Sequence, residues 1–323
     1  MAKRHVLLAI WLVSFAPIGP ASAEEFPSRP ITWVVPFAPG GITDTTSRIV
    51  AEEMSRTLGQ SVLIDNRGGG GGTVGTEQVA RAKPDGYMMI YGTQGTMAAN
   101  VTLRKNLSYD PLTSFLPVHM MAESPNIFVA FEGAPFNSVP EFIAYAKKYP
   151  GKVTFSSAGV GTGTHLVAEL FKTVAGIDML HVPYKGSAPA LNDLITGRID
   201  VMFDYPVSVG PHIEAGKLKV LGFAGPKRLS TMPEVPTFEE QGFVDFESDN
   251  FKGLAAPAGT PRFIIDKMHE VLVKVVNMPD ITARLIAGGS IPRTTTPQQF
   301  ADENRREVER WGKLMRKHGI LPQ

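Results

Sequence analysis

Ile31-Thr32-Trp33-Val34-Val35-Pro36-Phe37-Ala38-Pro39-Gly40-Gly41-Ile42-Thr43-Asp44 is the stretch on which the fold turns. Its first five residues are almost wholly apolar, the look of a strand covered on both faces. Two prolines and two glycines then make a loop. Residues 44–58 place Ile49, Val50, Met54 and Leu58 on one helical face, and Gly59 ends the helix. Strand, glycine-bearing loop and helix, in that order, make one unit of an α/β sheet.

The same grammar continues on both sides. Residues 61–64 predict a strand, followed by five glycines at 68–72, a short helix near 74–82 and a third strand at 87–91. Further on, Ser138-Val139-Pro140-Glu141 is a capping box, in which serine and glutamate satisfy free N–H groups at a helix start. Strands are predicted at 153–156, 179–182, 199–203 and 218–223, with helices at 165–174 and 188–196. This alternation predicts parallel sheets with helices on both faces.

The chain ends in helices at 262–277 and 279–287, and in a third opened by Thr296-Pro297 and stopped at Gly319. The charges along that last helix read as a solvated face with helix-spaced ion pairs. Two groups of strands, parted near 122–125 and again near 224, predict two lobes. The first is discontinuous (24–123 plus 224–323), the second is 124–223, and the helical tail returns to the first. A cleft between lobes is the expected ligand site.

The first residues address the chain. Lys3 and Arg4 precede an apolar run at 6–18, and Ala21-Ser22-Ala23 is the small-x-small pattern of a signal-peptidase site. A membrane anchor needs about 20 apolar residues, and Pro17, Gly19 and Pro20 cut the run short. Residues 1–23 are therefore expected to be a cleaved secretory signal. Their loss leaves 30 basic and 31 acidic residues, a formal charge of −1. Such a balance gives no nucleic-acid footprint. With no cysteine, the chain has no disulfide, thiolate metal site, cysteine nucleophile or lipidated N-terminal cysteine.

Three loops combine glycine, small hydroxyls and a helix start. The first runs from Pro36 through Phe37, Ala38, Gly40, Gly41 and Thr43 to Asp44. The second holds Ser156, Ala158, Gly161, Thr162, Gly163, Thr164 and His165. The third is Tyr184-Lys185-Gly186-Ser187-Ala188. Open α/β sheets bind ligands at such strand ends. A helix start offers unpaired N–H groups and partial positive charge, so the pattern favours an anion. Each loop alone also reads as a turn with Thr43, Asp44 or Thr164 as helix cap. His165 reads either as a neutral donor to a ligand or as a packing residue.

Enzyme motifs fail. Gly70-Gly71-Gly72-Thr73-Val74-Gly75 fits the dinucleotide pattern only because five glycines satisfy it cheaply. The next strand ends in Gly92-Thr93-Gln94, with no acid for a ribose hydroxyl. There is no G-x-S-x-G elbow and no phosphate loop, and the histidines lack metal-ligand spacing. Neither a cofactor nor a metal is expected.

Several stretches resemble one family. These are Phe26-Pro27-Ser28-Arg29-Pro30-Ile31, the 35–44 loop, His181-Val182-Pro183-Tyr184-Lys185-Gly186-Ser187-Ala188-Pro189-Ala190-Leu191-Asn192-Asp193-Leu194, Asp200-Val201-Met202-Phe203-Asp204, Pro233-Glu234-Val235-Pro236-Thr237 and Ala255-Ala256-Pro257-Ala258-Gly259-Thr260-Pro261. Together they resemble the substrate-binding receptors of tripartite tricarboxylate transporters, the Bug receptors. The resemblance implies a two-lobed, type II-like periplasmic binding fold of the Venus-flytrap kind, closing on organic acids. It implies a ligand carboxylate held between the first and second loops, with Thr93, Gln94, Tyr184, Lys185, Phe203 and Asp204 lining the rest of the cleft. It also implies membrane transporter subunits as partners of a monomeric, periplasmic, non-catalytic receptor. Ile42 stands where a third glycine is common, Gly68 replaces a frequent proline, and Phe251 stands where tryptophan is common. A sensor-kinase partner and, more remotely, an exported oxidoreductase using the glycine run are the alternative functions. Phe37, Phe203 and Tyr205 read either as a stacking surface for a flat acid or as lobe packing.

Overall fold

The computed structural model describes residues 25–323 apart from 226, 230, 244, 245, 247, 248, 318, 321 and 323. The expected signal segment 1–23 lies outside the described residues.

The chain opens with β1 (Ile31–Val35), α1 (Ile42–Leu58), β2 (Val62–Asn66), α2 (Thr73–Ala80), β3 (Met88–Thr93) and a short α3 (Asn100–Leu103). The long β4 (Phe115–Pro125) then leads through Asn126 into β5 (Ile127–Phe131). Next come α4 (Val139–Lys148), β6 (Thr154–Ser157), α5 (Gly163–Ala175), β7 (Leu180–Pro183), α6 (Ser187–Leu194), β8 (Val201–Asp204), α7 (Pro206–Glu214) and β9 (Leu218–Phe223). The chain returns in β10 (Asp249–Pro257) and ends with α8 (Arg262–Val276), α9 (Pro279–Ala287), β11 (Ile291–Pro292) and α10 (Pro297–Lys317).

These strands make two sheets, one per lobe. The first runs β11-β4-β10-β3-β1-β2 and the second β7-β6-β8-β5-β9. The parallel pairs β1–β2, β1–β3, β6–β7 and β6–β8 follow from the strand–loop–helix units. The sheets are nonetheless mixed, which corrects the all-parallel expectation. β10 runs antiparallel to β3 and β4, and β5 antiparallel to β8 and β9. These two strands pass between lobes, where no helix intervenes to restore direction, and the two-residue β11 adds a further antiparallel pairing with β4.

Each lobe buries its own core. Trp33, Val50, Met54, Met89 and Leu272 pack on one face of the first sheet. On its other face α10 lays Phe300, Trp311 and Met315 against Ile90, Phe115 and Ala255, so the tail does return to the first lobe. The second lobe is built on phenylalanine. Phe128 stacks on Phe203 at 4.3 Å between ring centroids, with Phe142, Phe171 and Phe238 edge-on or tilted around them. Phe238, Phe246 and Ala224 belong to this second core. Ala224, Phe238 and Phe246, which follow β9 and were assigned from the sequence to the first lobe, therefore pack on the second. The strand-poor sequence there hid that attachment.

Helix caps follow the sequence closely. Ser138 Oγ accepts from Glu141 N at 3.3 Å, while Glu141 reaches back to Asn137 N at 2.8 Å. Thr296 and Gln299 form a reciprocal box at 3.1 and 2.8 Å. No helix among the described residues is long and apolar enough to cross a membrane.

Candidate functional site

A cavity of about 470 Å³, its mouth included, lies where the strand ends of the two sheets face each other. From the first lobe it is lined by Phe37, Ala38, Gly41, Ile42 and Thr43 of the β1–α1 loop, by Thr93 at the end of β3, and by Asn250, Phe251 and Lys252 of β10. The second lobe contributes Ala158, Thr162, Gly163 and Thr164 of the β6–α5 loop, Ser187 opening α6, and Tyr205 after β8.

The β1–α1 and β6–α5 loops bring two helix starts to this space. α1 begins after Gly41, which has no side-chain cap, so its first N–H groups stay available. α5 begins after Thr162, whose Oγ accepts from His165 N at 3.4 Å. Thr162 donates its hydroxyl proton to Gly159 O at 2.7 Å. Thr164 Oγ accepts from Ala158 N at 2.9 Å, which leaves its own proton for Thr162 or for an occupant. Neutral donors thus crowd one end of the cavity, suited to an anionic oxygen.

The charged groups divide into braces and a buried pair. Asp44 is the third residue of α1 and turns away from the cavity, accepting from Gly40 N at 3.0 Å and from Arg48 Nε at 3.0 Å. Burial pushes its carboxyl up, but Arg48, Gly40 and Asn66 together hold it below the usual range. His165 is likewise a brace. Its Nδ1 accepts from Gly161 N at 3.2 Å, and its ring stacks on His181 at 4.2 Å. Burial, then the neighbouring His181, Lys172 and Arg104, bring it down to about 3, so it is neutral.

Asp204 and Lys252 are both fully buried, one on each lobe. Ser187 Oγ and Tyr205 N each donate to Asp204 Oδ1 at 2.9 Å. Burial pushes Asp204 up to about 7 against these bonds and the attraction of Lys252. Burial pulls Lys252 well below its ordinary value, with Asp204 opposing. Lys252 Nζ has no hydrogen-bond partner and sits 4.7 Å over the Tyr205 ring.

Phe37, Ala38, Gly41, Thr43, Thr93, Ala158, Thr162, Gly163 and Thr164, all predicted, meet in this cavity. Gly40, Asp44, Gly161 and His165 stand behind it, shaping the loops. Ser156 is buried in β6. Gln94 turns the other way and donates to Glu307 of α10 at 2.6 Å. Tyr184 bonds Asp193 at 2.6 Å, and Lys185 is exposed, its carbonyl accepting from Ala38 N across the lobes at 3.1 Å. Phe203 belongs to the phenylalanine core and Asp204 lies beneath Ser187 and Tyr205. Asn250 and Lys252 were absent from the sequence reading, because β10 itself was not recognised as a strand.

The glycine run at 68–72 serves lobe contact. A Cβ added at Gly71 overlaps the carbonyl oxygen of Val160 in the opposite lobe. Arg104 clamps the same place, donating to Gly70 O at 2.5 Å and Val160 O at 2.9 Å.

Comparison with known proteins agrees with this architecture. A protein named UPF0065 protein in tcbD-tcbE intergenic region, from Pseudomonas sp. (strain P51), is 37% identical over 317 residues, covering 98% of this chain and 94% of its own. The solved structure of the periplasmic binding protein BugD superposes with a TM-score of 0.89 at 36% identity, over 92% of this chain and 100% of BugD. That of R. palustris Rpa4515 with adipate gives 0.90 at 35% identity, over 93% of this chain and 100% of its own. Residues 46–320 match the tripartite tricarboxylate transporter family receptor model, and the chain belongs to that family of solute-binding receptors.

Proposed function

We propose that this chain is a periplasmic receptor that captures a small carboxylate between its lobes and delivers it to membrane transporter subunits, without catalysing any reaction. Export would use residues 1–23 as a signal cleaved after Ala23. The ligand carboxylate would lie between the β1–α1 and β6–α5 loops, held by N–H groups of the two helix starts and by Thr43, Thr162 and Thr164. Gly41 and Gly163 let backbone approach the ligand there. Asp44, Gly40, Gly161 and His165 act from behind, by fixing the loops.

The observation that carries this reading is the pairing of two helix starts, one from each lobe, on a single cavity. Such a site holds an anion chiefly through preorganised neutral donors. Family membership and the adipate in a relative of the same fold support it. Isothermal titration of the folded protein against mono-, di- and aromatic carboxylates tests it. Saturable one-to-one binding of at least one acid is expected; no binding by any of them overturns the reading.

A further inference from the structure

Lys252 is a polar feature of the cavity that the two-loop cradle leaves unexplained. It lies on β10, paired with Thr93 of β3 and Ala122 of β4, next to a register shift between Lys252 and Gly253 in the β4 pairing, so its backbone is held in mid-sheet. A lysine at that position is 1% exposed, yet it lines the cavity. Its ammonium finds no hydrogen-bond acceptor in the protein, only the Tyr205 ring face at 4.7 Å. Leaving such a group unpaired in a dry site is costly, and an arriving acceptor recovers that cost.

The nearest candidate for its counter-charge does not meet it. Asp204 spends Oδ1 on Ser187 and Tyr205, and neither Asp204 Oδ2 nor Lys252 Nζ has a hydrogen-bond partner. Burial also favours the neutral form of the Asp204 carboxyl. Burial disfavours the charged form of the Lys252 amine as well, so the amine stays available to an occupant, and an arriving anion favours its protonation. The two loops already supply an uncharged cradle for one carboxylate, so Lys252 marks a second, differently built pole.

We propose that Lys252 is a specificity-determining residue that receives a second anionic group of the ligand, making this receptor selective for diacids over monoacids of the same length. The proposal rests on the carboxylate reading above. Truncating one partner of a buried charged contact is costly, so the preference should be large.

The test uses the full chain freed of residues 1–23, wild type and Lys252→Met, titrated by calorimetry. The probes are linear diacids of four to six carbons, their monomethyl esters and the length-matched monoacids. Wild type is expected to bind the best diacid about 100-fold more tightly than its monoester. In Lys252→Met that ratio should fall to near one, through loss of diacid affinity, while monoacid affinity changes little. Unliganded melting temperature should hold or rise, because a buried amine is replaced by an apolar chain of similar length. A wild type that binds monoacid, monoester and diacid equally overturns the inference and leaves the carboxylate reading standing. So does a variant that keeps the wild-type ratio. Binding of no acid at all removes both. If Lys252→Met fails to fold, Lys252→Gln takes its place, with the same fall in ratio expected and an unchanged ratio overturning the inference.

Discussion

The two loops that face each other across the cavity look alike in sequence but are held in shape differently. The β6–α5 loop is stitched by its own side chains. Ser157 Oγ accepts from Gly159 N at 3.1 Å, Thr164 Oγ from Ala158 N, Thr162 donates to Gly159 O, and His165 Nδ1 accepts from Gly161 N. The β1–α1 loop has one internal brace and otherwise leans outward. Asp44 holds Gly40 N, Asn66 Nδ2 donates to Phe37 O at 3.1 Å, and Ala38 N reaches Lys185 O on the opposite lobe. The second lobe therefore carries the pre-shaped half of the cradle, and the first completes its half partly through contact between lobes. Preorganised donors bind at lower ordering cost, so damage to the two loops should show up differently.

The largest difference is expected from Gly163→Val. A Cβ there overlaps the Asn250 amide oxygen on the other lobe and comes within 2.8 Å of the Tyr205 hydroxyl. The closer clash, with Asn250, lies between lobes, so it opposes the liganded closed form more than the fold. Affinity should fall by about 100-fold, with the unliganded melting temperature little changed. Parallel losses in melting temperature and affinity would place the fault inside the lobe and break the comparison.

Asp44→Ala should do less. It frees Gly40 N and removes the Arg48 contact, in which Arg48 is 55% exposed and so contributes little through charge. A tenfold weaker affinity and about 1 kcal/mol of unfolding free energy are expected. Affinity unchanged by calorimetry would show that the first loop needs no brace.

What the sequence revealed follows the same division. Most strand–loop–helix units were legible, because buried parallel strands are short apolar runs and their loops carry glycine and caps; α7, which follows β8, was not. The antiparallel crossovers were not. Residues 115–131 are largely apolar, and Glu123, Ser124, Pro125 and Asn126 mark the parting of the lobes but not the reversal of strand direction where β4 leaves one lobe and β5 enters the other. β10 carries Asp249, Asn250 and Lys252, which read as loop in any pattern that expects a buried strand to be apolar. Asn250 and Lys252 are in the strand because they face the cavity, so the functional wall was hidden by its own function. Phe203 illustrates the opposite error. An aromatic next to a site motif suggested a ligand surface, whereas period-two alternation sends Phe203 into the core and Asp204 to the other face. Gln94 and Lys185 sit beside true lining residues and turn away, which spacing alone does not resolve.

The smallest effect at neutral pH is expected from the second loop's histidines, and it emerges only in acid. His181 stacks on His165, and its Nε2 lies 2.7 Å from Ser157 Oγ. Burial, then Lys172, brings His181 down to about 4, and His165 lies lower still at about 3. Both are neutral in the folded protein at pH values where the unfolded chain, titrating near 6.5, has taken up protons. The unfolded state thus binds more protons below that value, and stability falls as pH drops from about 6.5 towards 4. His119, brought to about 4 by burial, adds to this from the first lobe and bounds the effect. His181→Gln keeps a polar group for Ser157 and removes one titrating ring. Its melting temperature should match wild type near pH 7.5 and exceed it at pH 5, with the excess fading if unfolding is followed by a first-lobe probe such as Trp33 fluorescence. Equal acid sensitivity of variant and wild type would mean that the stacked pair does not set the acid limit, and that the self-braced loop is no more vulnerable to protons than the one that leans on its neighbours.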